Sequence, residues 1–178
     1  MRHWLALGCA AALVTVAACN RGEEAPAPSA EEQAQAAQNV AAGNASQQDI
    51  AAVMHARHEH YEEMGKAMKA IGDQLKSSNP SLPLIRQHAA LIAEYGPQVL
   101  TWFPEGSGPE TGRETRAKAE IWTDAETFRQ RAQAFEAEAA NFQRVAQSND
   151  VPAIRAAQAN LGNTCKNCHD RFRAPEED

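Results

Sequence analysis

The chain is poor in the residues from which sheets and disulfide scaffolds are built. Three Trp, two Tyr and five Phe make up only 6% of its 178 residues. β-Branched residues are sparse and no stretch sustains a period-two alternation, so strands have no support. There are four cysteines, and two of them, Cys9 and Cys19, fall in or beside an apolar leader, which excludes a disulfide-stapled fold for the rest. Cations are also short: 17 Lys and Arg stand against 23 Asp and Glu, for a formal net charge of −6. Loss of Arg2 with the leader makes the remainder one unit more acidic. Such a chain does not suggest a nucleic-acid partner, and its field steers partners with basic faces toward it.

What is present begins with an export signal. Met1-Arg2-His3 is positively charged, and Trp4 to Ala18 is almost wholly apolar with small residues at its end. That run is too short for a stable spanning helix and reads as a signal peptide over residues 1–18. Val16-Ala17-Ala18-Cys19 resembles the lipobox of bacterial lipoproteins, in which the cysteine is diacylated through its sulfur. Two or three acyl chains anchor firmly where one binds marginally. Asn20, where an aspartate would favour inner-membrane retention, points to the outer membrane. The alternative is ordinary cleavage near Ala17 or Ala18 with release into the periplasm. Residues 19–47, rich in Ala, Glu, Gln, Pro and Ser, bury too little apolar surface to offset their ordering entropy and read as a flexible tether. Within the tether, Glu31 to Ala42 has helical leanings.

Residues 48–178 suffice for one domain with a single core. A first helix is expected near Gln48 to Ser77, with Ile50, Val53, Arg57, Tyr61, Met64, Met68, Ile71 and Leu75 on one seam. A second starts near Leu84, turns Leu84, His88, Leu91, Ile92, Tyr95 and Val99 inward, and is kinked or ended by Gly96-Pro97. Phe103 to Glu120 is the one long loop. Thr123 to Glu126 has the form of a capping box for a third helix, whose seam is Phe128, Phe135, Ala139, Phe142 and Ala146. Ser148-Asn149-Asp150 separates it from a fourth, which carries Ile154, Ala157, Leu161, Cys165, Cys168 and Phe172. Seams near a seven-residue repeat on four helices imply an all-α antiparallel four-helix bundle.

The fourth helix carries the chemistry, in Cys165-Lys166-Asn167-Cys168-His169. The C-x-x-C-H spacing is that of covalent attachment of one haem c. Two thiols must add to the vinyl groups along one porphyrin edge while an imidazole reaches the iron, and helical positions i, i+3 and i+4 share the face this requires. His169 is then the axial iron ligand. A thioredoxin-type C-x-x-C needs a preceding strand, which is lacking here. A structural zinc site needs further ligands, and only Cys9 and Cys19 remain. Lipid on Cys19 and haem on Cys165 and Cys168 account for every cysteine left after export, and c-type haems are attached outside the cytoplasm.

With this motif on the last of four helices, the chain resembles cytochrome c′ and its low-spin relatives, the class II c-type cytochromes. The resemblance spans about Ile50 to Arg173. It rests also on Arg57, Tyr61, Met64-Gly65, Met68 and Ile71 in the first helix, on Phe103-Pro104 with Gly106-Ser107-Gly108, and on Ile121-Trp122. It implies that Arg57 contacts a haem propionate, that Tyr61 faces the distal side of the iron, and that Arg173 lies against the proximal side. Low-spin relatives ligate the iron with methionine where this chain has Tyr61. A neutral phenol with an ordinary pKa of about 10 is a poor ligand, so the expectation is a five-coordinate, high-spin, non-enzymatic haem that binds NO and CO and takes part in electron transfer with a redox partner protein. The rival is a six-coordinate carrier in which Met64, or a histidine from His55, His58 and His60, supplies the sixth ligand. Met64 is otherwise core filling and the three histidines solvated, while His88 is expected to pack between helices. Family members are often homodimers through their first two helices.

Overall fold

The computed structural model describes residues 30–175, so the leader, Cys19 and the start of the tether lie outside the described residues. Helices α1 (Ala30–Lys76), α2 (Leu82–Tyr95), α3 (Glu120–Thr123), α4 (Ala125–Ala146) and α5 (Val151–Phe172) follow in order, with 3-10 turns at Gly96–Trp102 and Pro109–Thr111. Among the described residues there is no strand, only an isolated bridge between Ala117 and Arg173. The bundle belongs to the unit that begins at Val40. No helix of the described residues is long and apolar enough to cross a membrane.

α1 starts well before Gln48, because Ala, Glu and Gln are strong helix formers and no proline intervenes between Pro28 and Pro80. Part of the stretch read as tether is therefore helical. The helix stops at Lys76, where Ser77, Ser78, Asn79 and Pro80 follow, and the Gln74 side chain accepts from Ser81 N at 2.9 Å to hold the turn. α2 begins two residues earlier than expected, with Pro83 in its first turn, where a missing N–H costs nothing. Its buried face is Ile85, Ala89 and Ile92, so the inward stripe is rotated by about one residue from the expected Leu84 and His88. At its end Gly96 lies so close to α4 that a Cβ there would come within 3.2 Å of Glu136 Cα. Pro97 then turns the chain into the 3-10 segment.

The expected capping box does not form, and the Glu126 carboxylate accepts from Arg129 and Gln130 instead. Thr123 Oγ1 donates back to Ala119 O at 3.3 Å within the α3 turn, and Asp124 is the N-cap of α4. The other end of α4 is closed from outside: Arg86 donates to Ala146 O at 3.0 Å and to Gln147 O at 3.4 Å, satisfying carbonyls that a helix end leaves free, and to the Asn149 side chain at 3.1 Å. Asp150 caps α5 as expected, accepting from Ala153 N at 3.0 Å.

Short connections make α1 and α2, and α4 and α5, antiparallel neighbours. Their seams meet in one core, where Ile71, Ile85, Ile92, Phe142, Ile154 and Leu161 are fully buried. The third and fourth seams lie where the periodicity puts them, with Ala132 added and Cys165 and Cys168 packed at the edge of the core.

Candidate haem site

Cys165, Cys168 and His169 follow one another on the last turns of α5, each half-buried. Both thiols are free. Burial raises the Cys165 thiol, and burial with the neighbouring Cys165 pushes Cys168 up to about 11, so both are held as neutral thiols. His169 moves the other way: desolvation, then the charges of Arg173 and Arg116, hold its imidazole below the ordinary histidine range. A neutral imidazole keeps the lone pair that a metal requires.

Across from this face stands α1. The Tyr61 ring lies edge-on to the His169 ring, with centroids 6.5 Å apart, and packs against Trp102 at 5.4 Å and Phe103 at 6.3 Å. Among the described residues the Tyr61 hydroxyl makes no hydrogen bond. Its pKa is raised well above the ordinary phenol value, first by burial and then by the nearby Cys168, with Arg57 opposing.

One turn back, Arg57 is only 5% exposed. Its guanidinium donates to Trp102 O at 3.3 Å, to Ser107 Oγ at 3.2 Å and O at 3.0 Å, and to Thr115 Oγ1 at 3.4 Å. It also lies over the Phe103 ring at 4.7 Å. All these hydrogen-bond and ring partners are neutral, and the Glu110 carboxylate acts on the guanidinium only through its charge. The loop from Phe103 to Ala119 is thus hung from Arg57, and Ser107 is fully buried beneath it. Gly108 permits the indole of Trp122 to approach, since a Cβ would meet Trp122 Cζ3 at 2.8 Å.

The far end of the loop is tied to the haem-motif helix. Lys118 N donates to Phe172 O at 3.0 Å, Ala174 N to Arg116 O at 2.8 Å, and Arg173 N to His169 O at 3.0 Å. The Arg173 side chain is exposed, yet near enough for its charge to act on His169. Sequence reasoning missed the partners of Arg57, because Ser107 and Thr115 lie 50 and 58 residues away in the chain. A buried-cation signal was available, since an arginine on an apolar seam demands acceptors.

Other candidates fall elsewhere. Met64 is buried in the core cluster. His55 and His58 are exposed, and His60 packs on Tyr95 and Trp102 at 4.9 and 4.8 Å. His88 lies half-buried in the groove between α1 and α2, beside Glu63, Lys66 and Leu91. No group of three or more His, Cys, Asp or Glu suited to a metal ion occurs among the described residues.

The donor set fits a haem: two unpaired thiols and an imidazole on one face, aromatic rings opposite, and a buried cation whose hydrogen-bond partners are all neutral. The sequence model described as Cytochrome C′ matches residues 52–173. The chain belongs to the cytochrome c′ family. The cytochrome c′ of Pararhodospirillum photometricum is 35% identical over 115 residues, covering 61% of this chain and 90% of that protein. The cytochrome c′ of Alcaligenes xylosoxydans is 39% identical over 74 residues, covering 42% of this chain and 56% of that protein. Among solved structures, cytochrome c prime from Shewanella frigidimarina superposes with a TM-score of 0.65 at 28% identity, over 71% of this chain and 97% of that one. A variant of the Alcaligenes xylosoxidans protein, solved as its nitric oxide complex, superposes with a TM-score of 0.61 at 24% identity, over 69% of this chain and 94% of that one. Membership brings one covalent haem c, and Cys165 and Cys168 are in place to hold it.

Proposed function

We propose that this family member is a membrane-tethered periplasmic protein whose haem is five-coordinate, binds NO and CO, and takes part in electron transfer. The observation that carries the reading is the half-buried Tyr61 phenol beside His169, without a hydrogen bond to another described residue and held protonated. Bound haem supplies an iron that changes oxidation state and takes up neutral diatomic ligands. Around it the chain's own groups divide the work. His169 offers its lone pair from the proximal side, with the Arg116 and Arg173 charges disfavouring protonation that would remove it. Tyr61 lines the distal side as an apolar edge rather than a ligand, because ligation requires a phenolate that its surroundings oppose. Arg57 is the cation for a propionate, which would join the neutral acceptors it already holds.

Met64 supports the six-coordinate alternative less well, since it is committed to the core while Tyr61 is the α1 side chain in contact with His169. Lipid on Cys19 and the tether would hold the domain at the outer membrane, and an acidic surface suits a basic redox partner. Homodimer formation through the first two helices belongs to the same proposal. Titrating the reduced, purified haem protein with CO tests the ligand reading. Saturable change in the haem absorption spectrum is expected, and a spectrum indifferent to CO would overturn it.

A further inference from the structure

The chain has only two tyrosines, and both lie edge-on against the same tryptophan. Trp102 is buried, with Tyr61 at 5.4 Å on one side and Tyr95 at 5.5 Å on the other. His60 packs on Trp102 and Tyr95 together and fixes their rings. Tyr61 in turn contacts His169, so an unbroken line of aromatic contacts runs from the haem side to α2. Tyr95 ends that line at the surface, where its hydroxyl donates to the exposed Glu63 carboxylate.

We propose that Tyr61, Trp102 and Tyr95 form a relay that carries oxidising equivalents from the haem to the surface, ending at the Tyr95–Glu63 hydrogen bond. The relay rests on the haem reading above. Its direction follows from where protons can go. Oxidising a phenol yields a strongly acidic radical cation, which is stabilised only if the proton can leave. Tyr61 has no hydrogen-bond acceptor among the described side chains and hands the oxidation along the ring contacts to Trp102. Tyr95 has a carboxylate already hydrogen-bonded to it, a contact that with partial burial pushes the ground-state phenol up to about 12 and keeps it protonated until an electron is lost.

The oxidant is hydrogen peroxide, which takes up two electrons and two protons, breaks its O–O bond and leaves as two waters. Each electron reaches it through Trp102 and Tyr61 from Tyr95. As Tyr95 loses that electron its proton passes to Glu63 and on to solvent, leaving a neutral tyrosyl radical. An ascorbate-class reductant returns one hydrogen atom to Tyr95. After two passes, one peroxide and two reductant hydrogen atoms have given two waters. The relay thereby draws damaging oxidation away from Cys165, Cys168 and the core.

The test adds hydrogen peroxide to the ferric haem protein with a nitroso spin trap and locates the adduct by peptide mass spectrometry. The adduct is expected on Tyr95, several-fold weaker in Glu63→Gln and absent at that position in Tyr95→Phe, whose haem content and CO spectrum are unchanged. Trp102→Phe should also lose it. An adduct confined to Tyr61 in the parent protein would overturn the relay, as would equal labelling of Tyr95 in the haem-free chain, which would mark direct solution chemistry. Absence of covalent haem by mass would remove the haem reading and the relay together. A loaded haem without a Tyr95 adduct would remove the relay alone.

Discussion

The Tyr61 ring, on the first helix, lies edge-on to the His169 ring, on the last, with centroids 6.5 Å apart. Sequence separation of more than a hundred residues is closed by the bundle, and the side chain proposed to line the distal side is brought to the imidazole proposed to hold the iron. Tyr61 makes no hydrogen bond to another described residue, so the proposed role of its side chain is steric.

Cutting Tyr61 back should therefore open the distal side. Tyr61→Ala is expected to raise CO affinity by on the order of tenfold, equivalent to about 1.4 kcal/mol, while the iron stays high-spin. Tyr61→Phe, which keeps the ring, should leave affinity within a factor of about two, since only the hydroxyl is lost. Equilibrium CO titration of the two variants checks both.

Arg57 carries the loop as well as its proposed contact with a haem propionate, and its loss should be felt at a distance. Arg57→Met leaves the Trp102 and Ser107 acceptors buried without a donor, at a cost of roughly 2–3 kcal/mol or more. The loop around Gly106 to Glu114 should become protease-sensitive while helices α4 and α5 stay protected. Limited proteolysis and urea unfolding read the two effects separately.

Gly96 tests the packing of α2 against α4. A Cβ at this position presses on backbone, the Cα of Glu136 at 3.2 Å, which cannot swing aside as a side chain would. Gly96→Ala is expected to lose about 1–3 kcal/mol of unfolding free energy through overpacking. It should do so without altering the haem spectrum, because the strain lies at the other side of Trp102.

The Asp124–Arg171 ion pair ties the start of α4 to the motif-bearing end of α5. Its hydrogen bond to Arg171, followed by Thr127, holds the Asp124 carboxyl below the usual carboxylate range. A depressed folded pKa means the contribution is present above the unfolded value of about 3.9 and is lost as pH falls through the lower folded one. Asp124→Asn should thus unfold at a lower temperature than the parent at pH 7, and the gap should narrow below about pH 4. Thermal melts across that range measure it.

The legible part of this protein was its periodicity and its spacing. Phe128, Phe135, Ala139 and Phe142 repeat on one face and are buried on one face, and the C-x-x-C-H residues needed only helical geometry to converge. Boundary positions were harder. Leu84 and His88 compete with Ile85 and Ala89 for the inward stripe of α2, and the packing of the whole helix in the bundle, which local pattern does not encode, buries Ile85, Ala89 and Ile92. Thr123 looked like a cap, but the preceding turn uses its hydroxyl first. The loop was illegible because Arg57, which organises it, acts across 45 to 58 residues, beyond the reach of local pattern.

The EPR spectrum of the ferric protein at neutral pH reads the face of the haem opposite His169 directly. A five-coordinate iron beside a protonated Tyr61 predicts an axial high-spin signal. A low-spin rhombic signal in the purified wild-type protein would show that a sixth protein ligand closes the site, and would contradict the account.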